Sequence, residues 1–325
     1  MSKLATIYGG SGFVGRYIAR RLAKAGWRVR VAVRRPNEAM FVRTYGSVGQ
    51  VEPILCNIRD DASVAAAMDG ADAVVNCVGT FDKGGKNNFD AVQHLGAERI
   101  ARLASQSGVS QMVHISAIGA DPDGATLYAR SKGLGEDGVL QHMPQAMILR
   151  PSVIFGPEDE FFNRFAGMTR TSPFVPLVGA SAKFQPVYVD DVAAAAEQGV
   201  VGSVSGVYEL GGPEVATFRS LIEDMLVVIR RRRLVLGLPL WMGRLMGWGF
   251  DLLGTISGGL IKGPITLDQA KSLAADNIVS EGSKTLADLG IEATAKEAIL
   301  DEYLWRFRPS GQYSDIKESA KNLKA

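Results

Sequence analysis

A doubly wound α/β fold, a parallel sheet covered on both sides by helices, is predicted by three features of the sequence. Short β-branched runs alternate with Ala-rich helical stretches from residue 4 to about residue 150. A glycine pattern, Gly9-x-x-Gly12-x-x-Gly15, directly follows the first of those runs and opens the first helical stretch. No fixed-period repeat is present, which sets aside a solenoid. Parallel strands need crossover connections, and those crossovers supply the covering helices.

Taken in order, "LATIYG" leads into "GFVGRYIARRLAKAG", "RVRVAV" into "PNEAMFVRTYG", "VEPILC" into "DASVAAAMDG" and "DAVVNCVG" into "DAVQHLGAERIARLASQSG". "QMVHISAIG" then precedes "YARSKGLGEDGVLQHM", and "AMILRPSVIFG" is the sixth strand run. These assign residues 1–150 to one domain. After Pro151 the alternation breaks into Gly- and Pro-rich loops such as "TSPFVPLVGASAKFQ", with one helical return at 186–200 that packs back on the first domain. A smaller C-terminal α/β domain is expected over 151–310, with an amphipathic segment at 234–262, and residues 311–325 read as a polar tail.

Composition fits a folded protein: of 325 residues, 46% are apolar and 22% charged. Thirty-six basic against 34 acidic side chains give a net charge of +2, too balanced for the field of a nucleic-acid binder. Cys56 and Cys77 sit in apolar stretches and read as reduced thiols within strands. With three His and no CxxC spacing, no bound metal is expected. The opening "MSKLATIYGG" enters a strand within a few residues, so no targeting peptide and a bacterial cytoplasmic setting are expected.

The glycine turn is the core of a nucleotide site. At Gly9, Gly12, Phe13, Val14 and Gly15 the backbone can approach a pyrophosphate, and the helix start supplies free N–H groups and a positive partial charge. The second strand ends in Arg34 and Arg35, where an NAD site would carry an acidic residue for the ribose hydroxyls. Guanidinium there suits a phosphate on the adenosine ribose, so NADP(H) is favoured over NAD(H), the plainer reading being two solvated side chains. Asn57 and Ile58 after the third strand could flank the adenine, and Cys77, Val78 and Gly79 after the fourth could run under the cofactor. Pro151, within the sixth run, joins this set because open α/β sheets bind ligands at that edge.

Tyr128 and Lys132 lie one helical turn apart in "YARSK". A tyrosine, titrating near ~10, works at neutral pH only beside a cation, and Lys132 is spaced to supply one. Ser116 could orient a carbonyl beside Tyr128. With eight Tyr in the chain, a chance Lys four residues on is the competing explanation.

"GGSGFVG", "HISAIGAD", "YARSK" and "RPSVIFGPEDEFFNRF" together resemble the extended short-chain dehydrogenase/reductase superfamily. The likeness is closest to its atypical branch, which contains the accessory NAD(P)-binding subunit of respiratory complex I, the NADH:ubiquinone oxidoreductase. "PVYVDDVA", "YELGGPEVATF" and the stretch from "DNIVSEGSKT" to "RPSGQY" extend it from about Ala5 to Tyr313. The resemblance implies a Rossmann-like fold and NADPH held within an assembled complex. Working enzymes of the superfamily place an Asn where this chain has Gln93, so their Ser-Tyr-Lys relay is incomplete here. Ser116, Tyr128 and Lys132 would then hydrogen-bond the nicotinamide ribose instead of moving protons.

Residues 229–263 combine four Arg, 230–233, with Trp241, Leu245, Trp248 and Leu252 at helical spacing. Met242, Met246 and Leu253 widen that stripe, and Arg244 and Asp251 mark another flank. A membrane span needs ~20 uninterrupted apolar residues, which Pro239, Arg244 and Asp251 break up. An interfacial helix at an anionic membrane surface through 230–262 fits better, against the plainer alternative of a helix covering its own domain.

The favoured function is thus a peripheral NADPH-holding accessory subunit or assembly factor of complex I. Its partners would be complex I subunits near the quinone site, its place the cytoplasmic side of a bacterial inner membrane, and nucleic acid is not expected. The alternatives are an NADPH-dependent reductase or dehydratase acting on an apolar, quinone-like carbonyl, and a redox-sensing regulator.

Overall fold

The computed structural model describes residues 2–82, 84–202, 204–256 and 266–313, with 251–256 described by backbone alone. Residues 257–262 of the amphipathic segment and 314–325 of the expected tail lie outside the described residues, as do the side chains of Asp251, Leu252 and Leu253.

In chain order the first elements are β1 (Leu4–Tyr8), α1 (Phe13–Lys24), β2 (Arg28–Val33), β3 (Val51–Leu55), α2 (Asp61–Met68), β4 (Ala73–Asn76), α3 (Leu95–Gln106), β5 (Gln111–Ile115), α4 (Leu127–His142) and β6 (Met147–Pro151). There follow β7 (Ile154–Phe155), α5 (Phe162–Met168), β8 (Phe174–Val178), β9 (Lys183–Phe184), β10 (Val187–Tyr188), α6 (Val189–Val201), β11 (Gly206–Leu210) and β12 (Ala216–Thr217). The chain continues through α7 (Phe218–Val228), β13 (Leu234–Leu238), α8 (Leu240–Ile256), α9 (Leu267–Ser272) and α10 (Lys296–Leu304).

The first compact unit comprises residues 1–152, 189–211 and 279–293. Its seven strands form one parallel sheet in the order β11-β6-β5-β4-β1-β2-β3, the doubly wound arrangement the alternation predicts. β1 is buried along its whole length, as a strand covered on both faces must be. On one face Tyr8, Val74, Met112 and Ile148 pack against Ile100, Ala104, Val139 and Met143 of α3, α4 and the residue after α4. Elsewhere α1 is clamped to α6, where the Arg21 guanidinium bonds Asp190 at 2.8 and 2.9 Å and Glu197 at 3.1 Å.

The expected boundaries place 279–293 in the smaller domain, whereas in the structure it belongs to this unit. The cause is edge pairing: β11, the outer strand, donates Glu209 N–H to Lys284 O at 2.8 Å, and the Glu209 carboxylate accepts Ser280 N–H. Cys56 and Cys77 are free thiols, but each lies one residue past its strand rather than in it. Both therefore fall at the carboxyl edge of the sheet.

The second unit comprises residues 153–188, 212–278 and the segment from 294 onward. Three two-stranded pairs, β7 with β10, β9 with β12 and β8 with β13, frame an aromatic core of Phe155, Phe161, Phe162, Phe165, Phe184 and Phe218. Buried Asp159 accepts Gly156 N–H, Asn163 N–H and the Tyr303 hydroxyl at 3.2, 3.0 and 2.5 Å, which ties α5 to α10.

Two expectations are corrected in this unit. The stretch 171–185, expected as loop, contains β8 and β9, and Pro176 is accommodated because β8 has a strand partner on only one side. The segment 234–262 begins as strand β13, and its helix starts after Pro239. In α8 Gly243 and Gly247 face inward: a Cβ on Gly243 would stand 2.2 Å from Val178 Cγ1, and one on Gly247 would stand 2.6 Å from Leu267 N. Trp241, Leu245 and Trp248 are left 64%, 60% and 58% exposed. No helix among the described residues is long and apolar enough to cross a membrane.

Candidate nucleotide site

The carboxyl ends of β1 to β6 bring the sequence-predicted residues to one edge of the first unit. After β1 the chain turns at Gly9, whose φ of 76° is open to glycine without strain. A Cβ there would press on the Cys77 carbonyl and Val78 N at 3.2 Å, so the turn lies directly against the strand end after β4. At Gly15 a Cβ would meet Gly9 O at 2.5 Å and Gly10 Cα at 2.6 Å. The start of α1 is therefore locked onto the turn, with Phe13 and Val14 half-buried between the two.

Gly12 caps α1 with no side-chain hydrogen bond, and the first turn carries no acidic residue. The first N–H groups and the positive end of the helix dipole thus stay available to an anion. Arg16, which the sequence reading passed over, donates to Gly12 O at 3.3 Å and Ser11 O at 3.1 Å and lies over the Phe41 ring. Its position one residue past Gly15 was the available signal. Arg34 and Arg35 are exposed at the tip of β2, and Arg35 reaches Glu38 at 3.1 Å through solvent-exposed side chains. Such a pair is weak and can yield to a phosphate.

Asn57 follows β3, and its side-chain oxygen closes a turn by accepting Arg59 N–H at 3.2 Å. Ile58 is half-buried, packs toward Gly96 of α3, and gives its carbonyl to Arg99 at 3.1 Å. Asn76 fixes the next strand end, its side-chain oxygen accepting Val78 N–H and its amide donating to His114 Nδ1, both at 3.1 Å. His114 is thereby held with its proton on Nε2, and burial, with Lys132 adding to it, pushes its pKa down to about 3. Burial pushes the Cys77 thiol up to about 12, so it is inert as a thiolate. Gly79 is open, and Pro151 is buried with its carbonyl accepting Ile118 N–H at 3.0 Å.

Lys132 is buried in α4 and donates from Nζ to Ile115 O at 3.0 Å. Burial lowers its pKa to about 8, with Glu136 and Cys77 acting the other way. Tyr128 is half-buried one turn before Lys132 in α4, and burial raises its phenol to about 12 in the nucleotide-free chain. Its ring lies flat against Phe81, 5.7 Å between centroids and 13° between planes, with Phe89 edge-on at 6.0 Å. The Ser116 hydroxyl donates to the Glu136 carboxylate, which Arg150 holds at 2.6 and 3.0 Å.

Gln93 sits in a π-helical turn, Asp90–His94, and its amide spans Thr80 O at 2.6 Å and Ser131 Oγ at 2.9 Å. Ser116 and Gln93 are thus engaged by the chain itself, and the edge offers features suited to a dinucleotide: the cradle that a Cβ would fill, the open helix start and the buried Lys132 ammonium. Bound there, a nicotinamide dinucleotide would bring hydride chemistry with it.

Comparison with known proteins agrees with this geometry. The family described as "NAD dependent epimerase/dehydratase family" matches residues 5–200. The chain is 32% identical over 316 residues to "NADH dehydrogenase (ubiquinone) 1 alpha subcomplex subunit 9, mitochondrial" of Arabidopsis thaliana, covering 95% of this chain and 79% of the relative. It is 30% identical over 316 residues to the "NADH-ubiquinone oxidoreductase 40 kDa subunit, mitochondrial" of Neurospora crassa, covering 95% and 80%. The solved structure "MoeE5 in complex with UDP-glucose and NAD" shares the fold, with a TM-score of 0.69 at 15% identity over 92% of this chain and 97% of that one. This chain is a member of the NAD-dependent epimerase/dehydratase family, within the extended short-chain dehydrogenases, and a homologue of the complex I 40 kDa subunit.

Proposed function

We propose that the chain is an NADP(H)-holding accessory subunit, or an assembly and stability factor, of a respiratory complex I, in which the nucleotide is kept and not turned over. The observation that carries this is the match to complex I subunits along 95% of the chain, at 32% and 30% identity. The site supports it through a built pyrophosphate cradle beside a raised Tyr128 and an engaged Ser116. Arg34 and Arg35 would hold the ribose phosphate, the α1 start the pyrophosphate, and Lys132 the nicotinamide ribose.

Attachment is peripheral in this reading, on the cytoplasmic face of a bacterial inner membrane near the quinone site. The outward Trp241, Leu245 and Trp248 offer an apolar face for it, and Arg230, Arg232 and Arg244 are exposed cations in the same segment. The test is titration of the purified protein with NADPH and NADH. NADPH is expected to bind tighter, and Arg34→Ala with Arg35→Ala to weaken NADPH by about tenfold or more while leaving NADH unchanged. Equal binding of both nucleotides by the wild type would refute the phosphate preference, and binding of neither would refute the proposal.

A further inference from the structure

We infer that Gln93 is a positioning residue that fastens Phe81 over Tyr128 and so closes the phenol to an incoming carbonyl group. This deepens the proposed function, on which it rests, by saying why a bound nucleotide would find no hydride acceptor at this edge.

Phe81 is 65% exposed. Its ring lies on the half-buried Tyr128 ring in a near-parallel stack, and buried Phe89 meets Tyr128 edge-on. A ring on a surface loop would ordinarily swing away, and the hydrogen bonds at Thr80 explain why this one stays. Thr80 Oγ1 accepts Asp82 N–H at 3.0 Å, which turns the loop, and Thr80 O accepts the Gln93 amide at 2.6 Å. The other end of that same amide accepts Ser131 Oγ at 2.9 Å, and Ser131 Oγ also reaches Tyr128 O at 2.9 Å. One side chain therefore bridges the loop that carries Phe81 to the helical turn that carries Tyr128.

Gln93 is itself fixed. It is buried in the π-helical turn, and α4 approaches so closely that a Cβ on Gly135 would stand 2.2 Å from Gln93 O. Asn, one methylene shorter, would fall short of one end of the bridge. The side chain spans two backbone segments.

The experiment is acetylation of phenolic oxygen by N-acetylimidazole on the full-length, nucleotide-free chain. Tyr128 is followed by peptide mass spectrometry against Tyr313, which is 58% exposed, and hydroxylamine reversal separates O-acetyl from N-acetyl products. In the wild type Tyr128 is expected to react at least about tenfold more slowly than Tyr313, because its half-buried phenol lies under Phe81, which must move aside first. Phe81→Ala, and separately Gln93→Asn, should each bring the two rates to within a few-fold, with circular dichroism and thermal midpoint confirming a folded chain. Equal rates in the wild type, or a Tyr128 that stays slow in both folded variants, would overturn the inference. NADPH affinity measured on the same samples keeps the outcomes apart, since loss of binding in the wild type counts against the proposed function and leaves the acetylation result standing.

Discussion

Lys132 gives the site its pH dependence. Burial lowers it from 10.5 to about 8, so in the nucleotide-free chain it loses its charge above that point. A ligand held by the ammonium should bind with constant affinity below pH 8 and progressively more weakly above it, and Lys132→Met should flatten that profile. Stability runs the other way. Between the folded value and the ordinary one the unfolded chain holds more protons, so this lysine raises the stability of the nucleotide-free chain as pH climbs through that window. Binding titrations and urea melts at pH 7 and 9 check both signs.

His114 works in the acid range by the same logic: folded near 3 against an ordinary 6.5, it makes the chain lose up to about 1.4 kcal/mol per pH unit on acidification between those values. At this scale the sequence was only partly legible. Tyr128 and Lys132 are neighbours in sequence, so their spacing could be read. The Ser116–Glu136 bond spans 20 positions and the Asn76–His114 bond 38, and no local pattern announces either.

Among elements, the glycine turn is the most constrained. Gly15→Ala would drive a methyl into backbone atoms at 2.5 and 2.6 Å, atoms with no rotamer to escape into. A loss of about 1–3 kcal/mol together with loss of nucleotide binding is expected, measured by denaturant melts and NADPH fluorescence. This turn was legible because strand, turn and helix are contiguous in the chain. Helix α8 was legible as an apolar stripe turned outward, but the glycines that seat its other side were not. Glycines at 243 and 247 let the backbone approach Val178 and Leu267, which reverses the usual arrangement and leaves the tryptophans outside. Trp241→Ser with Leu245→Ser should therefore leave the thermal midpoint within about a degree or two, as exposed substitutions do, while abolishing co-purification with membranes. A large drop in the midpoint would mean that the face is covered within the chain.

For the whole molecule, local alternation made the parallel sheet readable, whereas the assignment of 279–293 to the first unit depends on pairing with β11 across more than 70 positions. That is a contact only the folded chain creates. A nucleotide bound by the native state alone stabilises it by about 4 kcal/mol when free ligand is ~1,000 times Kd, a large share of a domain's stability. The measurement that bears most directly on the central claim is the nucleotide content of complex I purified in detergent with this chain, before and after turnover with NADH and quinone. NADPH stoichiometric with the chain, and still reduced afterwards, is the predicted result. Absence of nucleotide, or its oxidation during turnover, would contradict it.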